Sequence, residues 1–505
     1  MKNRKNGIIL SYVNIIISAV AGIFLSSFYL KQLGSTEYGI YESISSFINY
    51  LVLFEFGTGT IITRNLSLCF AKKENSVEIK KNISTVWYIT IFLLIIILIV
   101  AILFYFMIGN IYSKTMTIDQ ISYAKEIFVF LLVYLLLSFL CQTLTGIVLA
   151  YENYTFTSKL SIFKTITKLI LVVILILYQK KAIIIAIVDA IISIFLFIYS
   201  LNYCKKEYKV SISIKYFDKK VLKVSLPLCL ALFLQTIVNQ ANSNVDKFII
   251  SITISPEAVS IYSISLYVYS MFSTAANIPI SLYAPQVVKE VGKGLSGKDL
   301  ANRLIQPSRL IVFISGIILF GFISVGKQFV FILYGNKFID AWIIAIIIMI
   351  PMYINVSNGI IINVLDAINK RMVRSIALLI TAICNIILTS IWVKKWGIIG
   401  AAIATMICTI AGQSLIMNYY YYKKLNLPIF DMFIKSFKGI LVYQIIGMII
   451  SYLISIYLKD AFISFLVCGI IFILISFGGF LLFGKNEYEE SLIKRVIRKN
   501  KEIYK

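Results

Sequence analysis

Apolar residues run along this chain in blocks of 18 to 25 positions, each closed by a short polar break. Blocks of that length suit helices crossing a hydrocarbon core of ~30 Å, not the ~10-residue alternating strands of a membrane barrel. Fourteen spans can be marked: 8–30, 38–60, 84–109, 124–150, 159–179, 182–203, 221–250, 257–285, 305–334, 338–366, 372–393, 398–421, 437–458 and 462–484. Several exceed the ~20 residues needed to cross, which implies tilt or extension past the membrane. The first begins like a signal peptide, with Lys2, Arg4 and Lys5 before an apolar run, but the run continues through Leu30. That is too long for an h-region, so a retained first helix is expected. The pattern predicts an all-α integral membrane protein with about 14 transmembrane helices.

Composition agrees. Of 505 residues 60% are hydrophobic and 14% charged, and the mean hydropathy is +0.90. A globular chain needs about a quarter charged residues to cover its surface. The net charge of +25 invites a nucleic-acid reading until its placement is examined. Alternate loops form two sets holding 31 and 9 Lys and Arg. By the positive-inside rule the rich set is cytoplasmic, which puts both termini inside the cell and predicts a multi-pass membrane protein. The basic excess is thus accounted for by topology, and no nucleic-acid partner is indicated. The chain has no His and seven dispersed Cys without a CxxC pair, which removes His-centred catalysis and gives no metal or disulfide framework. No Walker A loop, GxSxG or HExxH occurs, so no catalytic residue, metal or cofactor is expected.

A weak internal repeat divides the chain. GIYESIS at 39–45 opens the second span and SIYSIS at 260–265 occupies the same place in the eighth. KKAIIIAIVDAI at 180–191 and KKWGIIGAAIAT at 394–405 precede the sixth and twelfth. The offsets, 221 and 214 residues, enclose six spans, so both copies share one orientation, as in transporters built from parallel halves. The expected organisation is an N-terminal six-helix lobe at 1–203, a polar basic linker at 204–220, a second six-helix lobe at 221–421, two extra helices within 435–484 and a basic tail at 485–505.

Polar side chains inside spans are the candidate chemistry, since a charge at mid-membrane costs ~2.5–3.5 kcal/mol and needs a partner or a use. In the seventh span Gln235, Asn239, Asn242 and Asp246 are spaced 4, 3 and 4, within an arc of about 60° at 100° per residue. Such a stripe lines water or a polar substrate, or bonds helix to helix, with Asp246 and Lys247 toward the outer headgroups. In the fifth span Lys164 and Lys168 lie four apart. Two readings stand: an anion site suited to a diphosphate, or pairing with Asp189 or Glu55. Glu55 and Arg64 near the inner end of the second span read as a gate pair or an interfacial pair. Asn14, one repeat offset before Gln235, places an amide at matching depth in each lobe.

FYLKQLGSTEYGIYESISSF at 28–47, FEFGTGTIITRN at 54–65, SLPLCLALF…NVDKFIIS within 225–251, LYGNKFIDAW at 333–342 and WGIIGAAIAT at 396–405 together resemble Wzx-type polysaccharide or O-antigen flippases. These belong to the multidrug/oligosaccharidyl-lipid/polysaccharide (MOP) exporter superfamily. The resemblance covers essentially the whole chain. It implies two six-helix lobes around a cavity that opens alternately to each side. The implied substrate is an undecaprenyl-diphosphate-linked oligosaccharide, carried from inner to outer leaflet for O-antigen, capsule or exopolysaccharide assembly. Lys164 and Lys168 are the positions that match the family's cationic cavity residues, with Asn14, Gln235, Asn239 and Asn242 toward sugar hydroxyls. Asp246, Lys247, Asp189, Glu55 and Arg64 are the ion-coupling or gating candidates, for H+ or Na+. Expected partners are membrane lipids, a polysaccharide polymerase and a chain-length regulator. Fourteen spans instead of twelve keeps a peptidoglycan-lipid flippase open, and a cation-coupled multidrug exporter is the other rival.

Overall fold

The computed structural model describes residues 2–55, 57–368, 370–486 and 489–490. Among the described residues there is no strand. The helices are α1 (Lys2–Leu51), α2 (Thr58–Ala71), α3 (Ser76–Tyr112), α4 (Ile118–Ala150), α5 (Tyr154–Tyr178), α6 (Ile183–Tyr208), α7 (Lys219–Thr253), α8 (Pro256–Gly292), α9 (Gly297–Tyr334), α10 (Asp340–Val356), α11 (Ile361–Ala367), α12 (Arg371–Thr409), α13 (Met417–Leu425), α14 (Ile429–Phe437), α15 (Leu441–Tyr457) and α16 (Ala461–Gly479).

Among the described residues the fourteen apolar blocks are mostly helical, with breaks such as 357–360 inside the tenth. Among the described residues nine helical stretches are long and apolar enough to cross a membrane, or ten when α14 and α15, bent by 48°, form one broken span. Part of the shortfall from fourteen is fusion of neighbours. The first two blocks share α1, broken at Gly34 (φ 80°, ψ 172°), and the eleventh and twelfth share Met372–Leu425, kinked at Gly397. Gly34 sits in backbone space that side-chain-bearing residues rarely adopt, so the chain can turn there without a long loop. The outward faces are what a bilayer requires: Phe92, Ile99, Leu103 and Phe106 of α3 are all exposed. A water-soluble surface would not carry so large an apolar patch.

Two compact units divide the chain, Met1–Ser263 and Ile264–Lys505. In the first, Ile40, Ile44 and Ile48 of α1 pack at helical spacing against Ile97, Ala101 and Phe104 of α3 and Phe128, Leu131 and Leu135 of α4. Phe248 and Ile252 of α7 close over this core. Lipid tails are as apolar as these side chains, so tight packing and interhelical hydrogen bonds, not water exclusion, hold such helices together.

In the second unit Ile311, Val312 and Leu319 of α9 meet Met349 and Tyr353 of α10 and Phe272 of α8. Helix α15 is keyed to this core by Gln444, fully buried. Its Nε2 donates to the Phe313 carbonyl at 3.0 Å, and its Oε1 accepts from the Tyr353 hydroxyl at 3.1 Å.

Helix ends outside the apolar segments are capped conventionally. Thr117 and Gln120 form a reciprocal capping box before α4. Asp218 accepts the Lys220 N–H at 2.7 Å before α7, and that bond, with Lys81 nearby, holds its carboxyl below the usual carboxylate range.

Candidate functional site

The fifth predicted span became α5, a helix started by Asn153, whose Oδ1 accepts the Phe156 N–H at 3.2 Å while its Nδ2 reaches the Tyr203 and Tyr208 hydroxyls. Helix α6 returns antiparallel after four residues. Its N-terminus is tied by Glu37 of α1: Glu37 Oε2 accepts the Ala182 N–H at 2.9 Å and the Tyr123 hydroxyl at 2.7 Å. Tyr123 in turn accepts the Ile183 N–H at 2.9 Å. A carboxylate against orphan N–H groups at a helix start is favourable on both hydrogen-bond and dipole grounds.

Between α4, α5 and α6, below the short helical turn Val52–Glu55, lies a cavity of about 510 Å³. Its charged lining residues are Lys164 and Glu55; Tyr134, Gln142, Thr145, Thr157, Ser161, Ser193 and Ser200 supply hydroxyls and an amide. The volume is within the ~300–1,000 Å³ usual for small-molecule sites. Lys164 Nζ donates to the Tyr134 hydroxyl at 3.3 Å and stands 5.0 Å from the centre of the same ring. Among the described residues no carboxylate pairs with Lys164, and Glu55 likewise has no ion-pair partner. The cavity therefore holds a cation softened only by a phenol ring and, apart from it, an uncompensated carboxyl group.

The hydroxyls have a polarity of their own. Thr145, Thr157 and Ser193 donate to carbonyls on their own helices, those of Cys141, Tyr154 and Ala190, at 2.7–3.0 Å. Their protons are spent, so what they offer is lone pairs. The cavity wall is thus rich in acceptors, with Lys164 and the Gln142 amide as donors.

The other sequence candidates fall elsewhere. Lys168 is paired: its Nζ donates to Asp189 Oδ2 of α6 at 2.8 Å, with Asp189 nearly fully buried. The two lysines four apart thus divide, one to a carboxylate and one to the cavity. Asn14 ties α1 to α5 by donating to Ser161 Oγ at 2.9 Å, so it backs the cavity wall. Asp246 Oδ2 accepts the Tyr262 hydroxyl at 2.6 Å. Lys247 Nζ reaches Glu42 Oε2 at 3.0 Å, and that carboxylate also accepts from Tyr38 and Ser263. Arg64 is exposed on α2, and among the described residues no ion pair joins it to Glu55. Gln235, Asn239 and Asn242 lie on α7, and their side chains fall outside the described residues, as does residue 491 onward of the basic tail.

Three contributors escaped the sequence reading: Glu42, Tyr134 and Glu37. Glu42 and Glu37 carry a signal that could have been used, an acid inside or beside an apolar block. Tyr134 carries none, because one Tyr among 32 looks like any other.

Comparison with known proteins relates the fold to solved structures. A lipid II flippase, MurJ, in an inward closed conformation superposes with a TM-score of 0.70 at 20% identity, covering 93% of this chain and 98% of that one. An inward-facing multidrug resistance MATE family transporter of the MOP superfamily gives 0.59 at 13%, covering 82% and 99%. A MOP superfamily transporter from Pyrococcus furiosus gives 0.52 at 13%, covering 84% and 97%. At such identities the likeness is one of fold. No curated protein matches by sequence. The chain is a multi-pass, helical membrane protein with the fold that these transporters share. By its sequence from residue 4 to 289, more than half its length, the chain belongs to the family described as polysaccharide biosynthesis protein.

Proposed function

We propose that this protein is a flippase for undecaprenyl-diphosphate-linked oligosaccharide repeat units, moving them from the inner to the outer leaflet of the bacterial cytoplasmic membrane by alternating access. The observation that carries this reading is Lys164: an ammonium without a carboxylate partner in a cavity of about 510 Å³ whose lining also carries seven hydroxyl groups. An isolated charge in such a place is costly unless a ligand completes it. A diphosphate completes Lys164, and sugar hydroxyls donate to the lone pairs of Thr145, Thr157 and Ser193. A drug exporter for organic cations would be served by the opposite arrangement, buried acids without lysine.

Glu55 gives the cycle a coupling candidate. An anion entering beside it is repelled while Glu55 is charged and tolerated once it holds a proton, so substrate and H+ would load together. The Glu42–Lys247 pair, with Thr36 donating to Glu257 and Ser260 to the Ser35 carbonyl, is the proposed outer latch, released when the cavity opens outward. Both termini are cytoplasmic in this scheme, and the polymerase and chain-length regulator would act on the delivered product.

The likeness in fold to MurJ supports a second reading, a peptidoglycan-lipid flippase. One experiment tests both. In cells lacking this protein, lipid-linked oligosaccharides are extracted and their leaflet is assigned by accessibility to an added glycosidase. Inner-leaflet accumulation of the polysaccharide repeat unit, with peptidoglycan precursor unchanged, supports the first reading; the converse supports the second. Accumulation of neither, where no second flippase is encoded, removes both.

A further inference from the structure

A lipid-linked substrate has to straddle the protein wall, its head group in a polar cavity and its chain in the bilayer. Helix α5 carries two stripes suited to those tasks. Leu160, Lys164, Thr157 and Ser161 occupy an arc of about 100° and face the cavity. Lys159, Phe163, Ile166 and Ile170 occupy the adjoining arc of about 60° and are exposed. On that outer side lies a second cavity, of about 290 Å³, lined by Phe156, Lys159, Leu160, Phe163, Phe195 and Tyr199. Phe163 stands 5.4 Å from Phe195, and Phe195 is stacked 6.0 Å from Tyr199.

Leu160 lines both cavities. At that point the wall between the polar interior and the bilayer face is one side chain thick. Lys159 and Lys164 are five residues apart, about 7.5 Å along the helix at 1.5 Å rise. They are also about 140° apart around it, so Lys164 faces the inner cavity while Lys159 stands at the outer one.

We propose that the α5–α6 groove is the seat of the substrate's isoprenoid chain, which passes Leu160 and lies along Phe163 and Phe195 while the diphosphate is held by Lys164. This rests on the flippase reading and adds where the chain leaves the protein. A larger apolar crevice, about 500 Å³ between α3 and the start of α7 and lined by Phe92, Phe217 and Leu226, is a poorer seat because it shares no lining residue with the Lys164 cavity.

The test places a photo-crosslinking benzoyl-phenylalanine at Phe195 or at Phe92 in cells that make radiolabelled undecaprenyl-diphosphate-linked repeat unit. Both positions are exposed, so neither replacement disturbs a core. The expected result is crosslinking at Phe195 about tenfold above Phe92, a preference of ~1.4 kcal/mol. Leu160→Trp, which fills the threshold, is expected to abolish transport at unchanged membrane levels while Leu160→Ala retains it. Equal or greater crosslinking at Phe92, or transport by a normally inserted Leu160→Trp protein, overturns the groove. If cells lacking the protein show no leaflet imbalance, the flippase reading fails and takes the groove with it. Normal flipping without enrichment at Phe195 defeats the groove alone.

Discussion

Glu42 accepts a hydrogen bond at 3.0 Å from the hydroxyl of Ser263, 221 positions further along the chain, and 221 is also the offset of the internal repeat. Thr36 and Glu257, which are hydrogen-bonded as well, stand the same 221 apart. The kinked-off half of α1 and the first turns of α8 are thus joined by the residues that the repeat aligns. At the Glu42–Ser263 junction the acid stands on α1 and a hydroxyl on α8, and Lys247 of α7 supplies the charge that Glu42 needs.

Removing Lys164 tests the anion site directly. A charge-assisted hydrogen bond is worth ~1.5–3 kcal/mol, which corresponds to a loss of roughly ten- to a hundredfold for Lys164→Ala. Lys164→Arg keeps the charge and is expected to retain part of the activity, whereas Lys164→Glu abolishes it. The readout is leaflet distribution of the lipid-linked sugar in a deletion strain carrying each variant at equal membrane level. Wild-type transport by Lys164→Ala would remove the site from the mechanism.

Lys168 and Asp189 are expected to behave as a structural unit. Breaking a buried ion pair from one side costs ~3–5 kcal/mol; because Lys168 is about a quarter exposed, the lower end of that range applies. Lys168→Met and Asp189→Leu should each lower the melting temperature of the purified protein, and the double variant should lie well above the sum. A coupling energy near zero in that cycle would mean the two charges are held independently.

The Glu42–Lys247 contact leads to a different expectation, one about conformation. Both side chains are mostly buried, and Glu42 collects three donors. Glu42→Gln weakens the Lys247 bond while preserving shape, so cysteines introduced near 36 and 257, which the proposed scheme places outside, should label faster with an impermeant thiol reagent. Unchanged labelling would show that this pair does not hold the outer end closed. Gly39, whose added Cβ would collide with the Pro256 carbonyl, offers the steric counterpart: Gly39→Leu should bias the same assay in the same direction.

How much of this was legible beforehand follows from which physical signal each feature leaves. Apolar length foretold helix over most of each block, yet among the described residues only nine or ten stretches are long and apolar enough to cross; it does not mark where two spans fuse through a glycine, as at Gly34. Helical spacing put Lys164 and Lys168 on one side of α5, but 100° per residue cannot say which of two neighbours finds an acid across a helix–helix contact. That was decided by Asp189, 21 residues on. Tyr134, which holds the free lysine, was invisible because an aromatic on an apolar helix carries no periodic signature. Arg309 is the plainest omission, an arginine inside a predicted span that the reading passed over.

Arg309 gathers the C-terminal part of the second unit around one guanidinium. It is 4% exposed and uses Nη1 for the carbonyls of Lys435 and Lys438 at 3.0 and 2.7 Å. Nη2 reaches the Gly484 carbonyl at 2.8 Å, and Nε with Nη2 grips the Glu489 carboxylate at 2.8 and 3.2 Å. The end of α14 and the chain beyond α16 therefore share one donor fork, and the carbonyls at the α14 terminus receive the positive charge that a helix C-terminus favours. Lysine cannot reproduce the planar fork, so Arg309→Lys should lose most of what Arg309→Leu loses. Both are expected to expose the chain after Gly484 to added protease from the side carrying the C-terminus, with α9 and α10 left intact. Glu489→Gln removes only the carboxylate's charge and should give an intermediate rate. If Arg309→Leu left the cleavage rate at the wild-type value, the fork would not be what secures this end of the protein, and Gln444 on α15 would have to hold it alone.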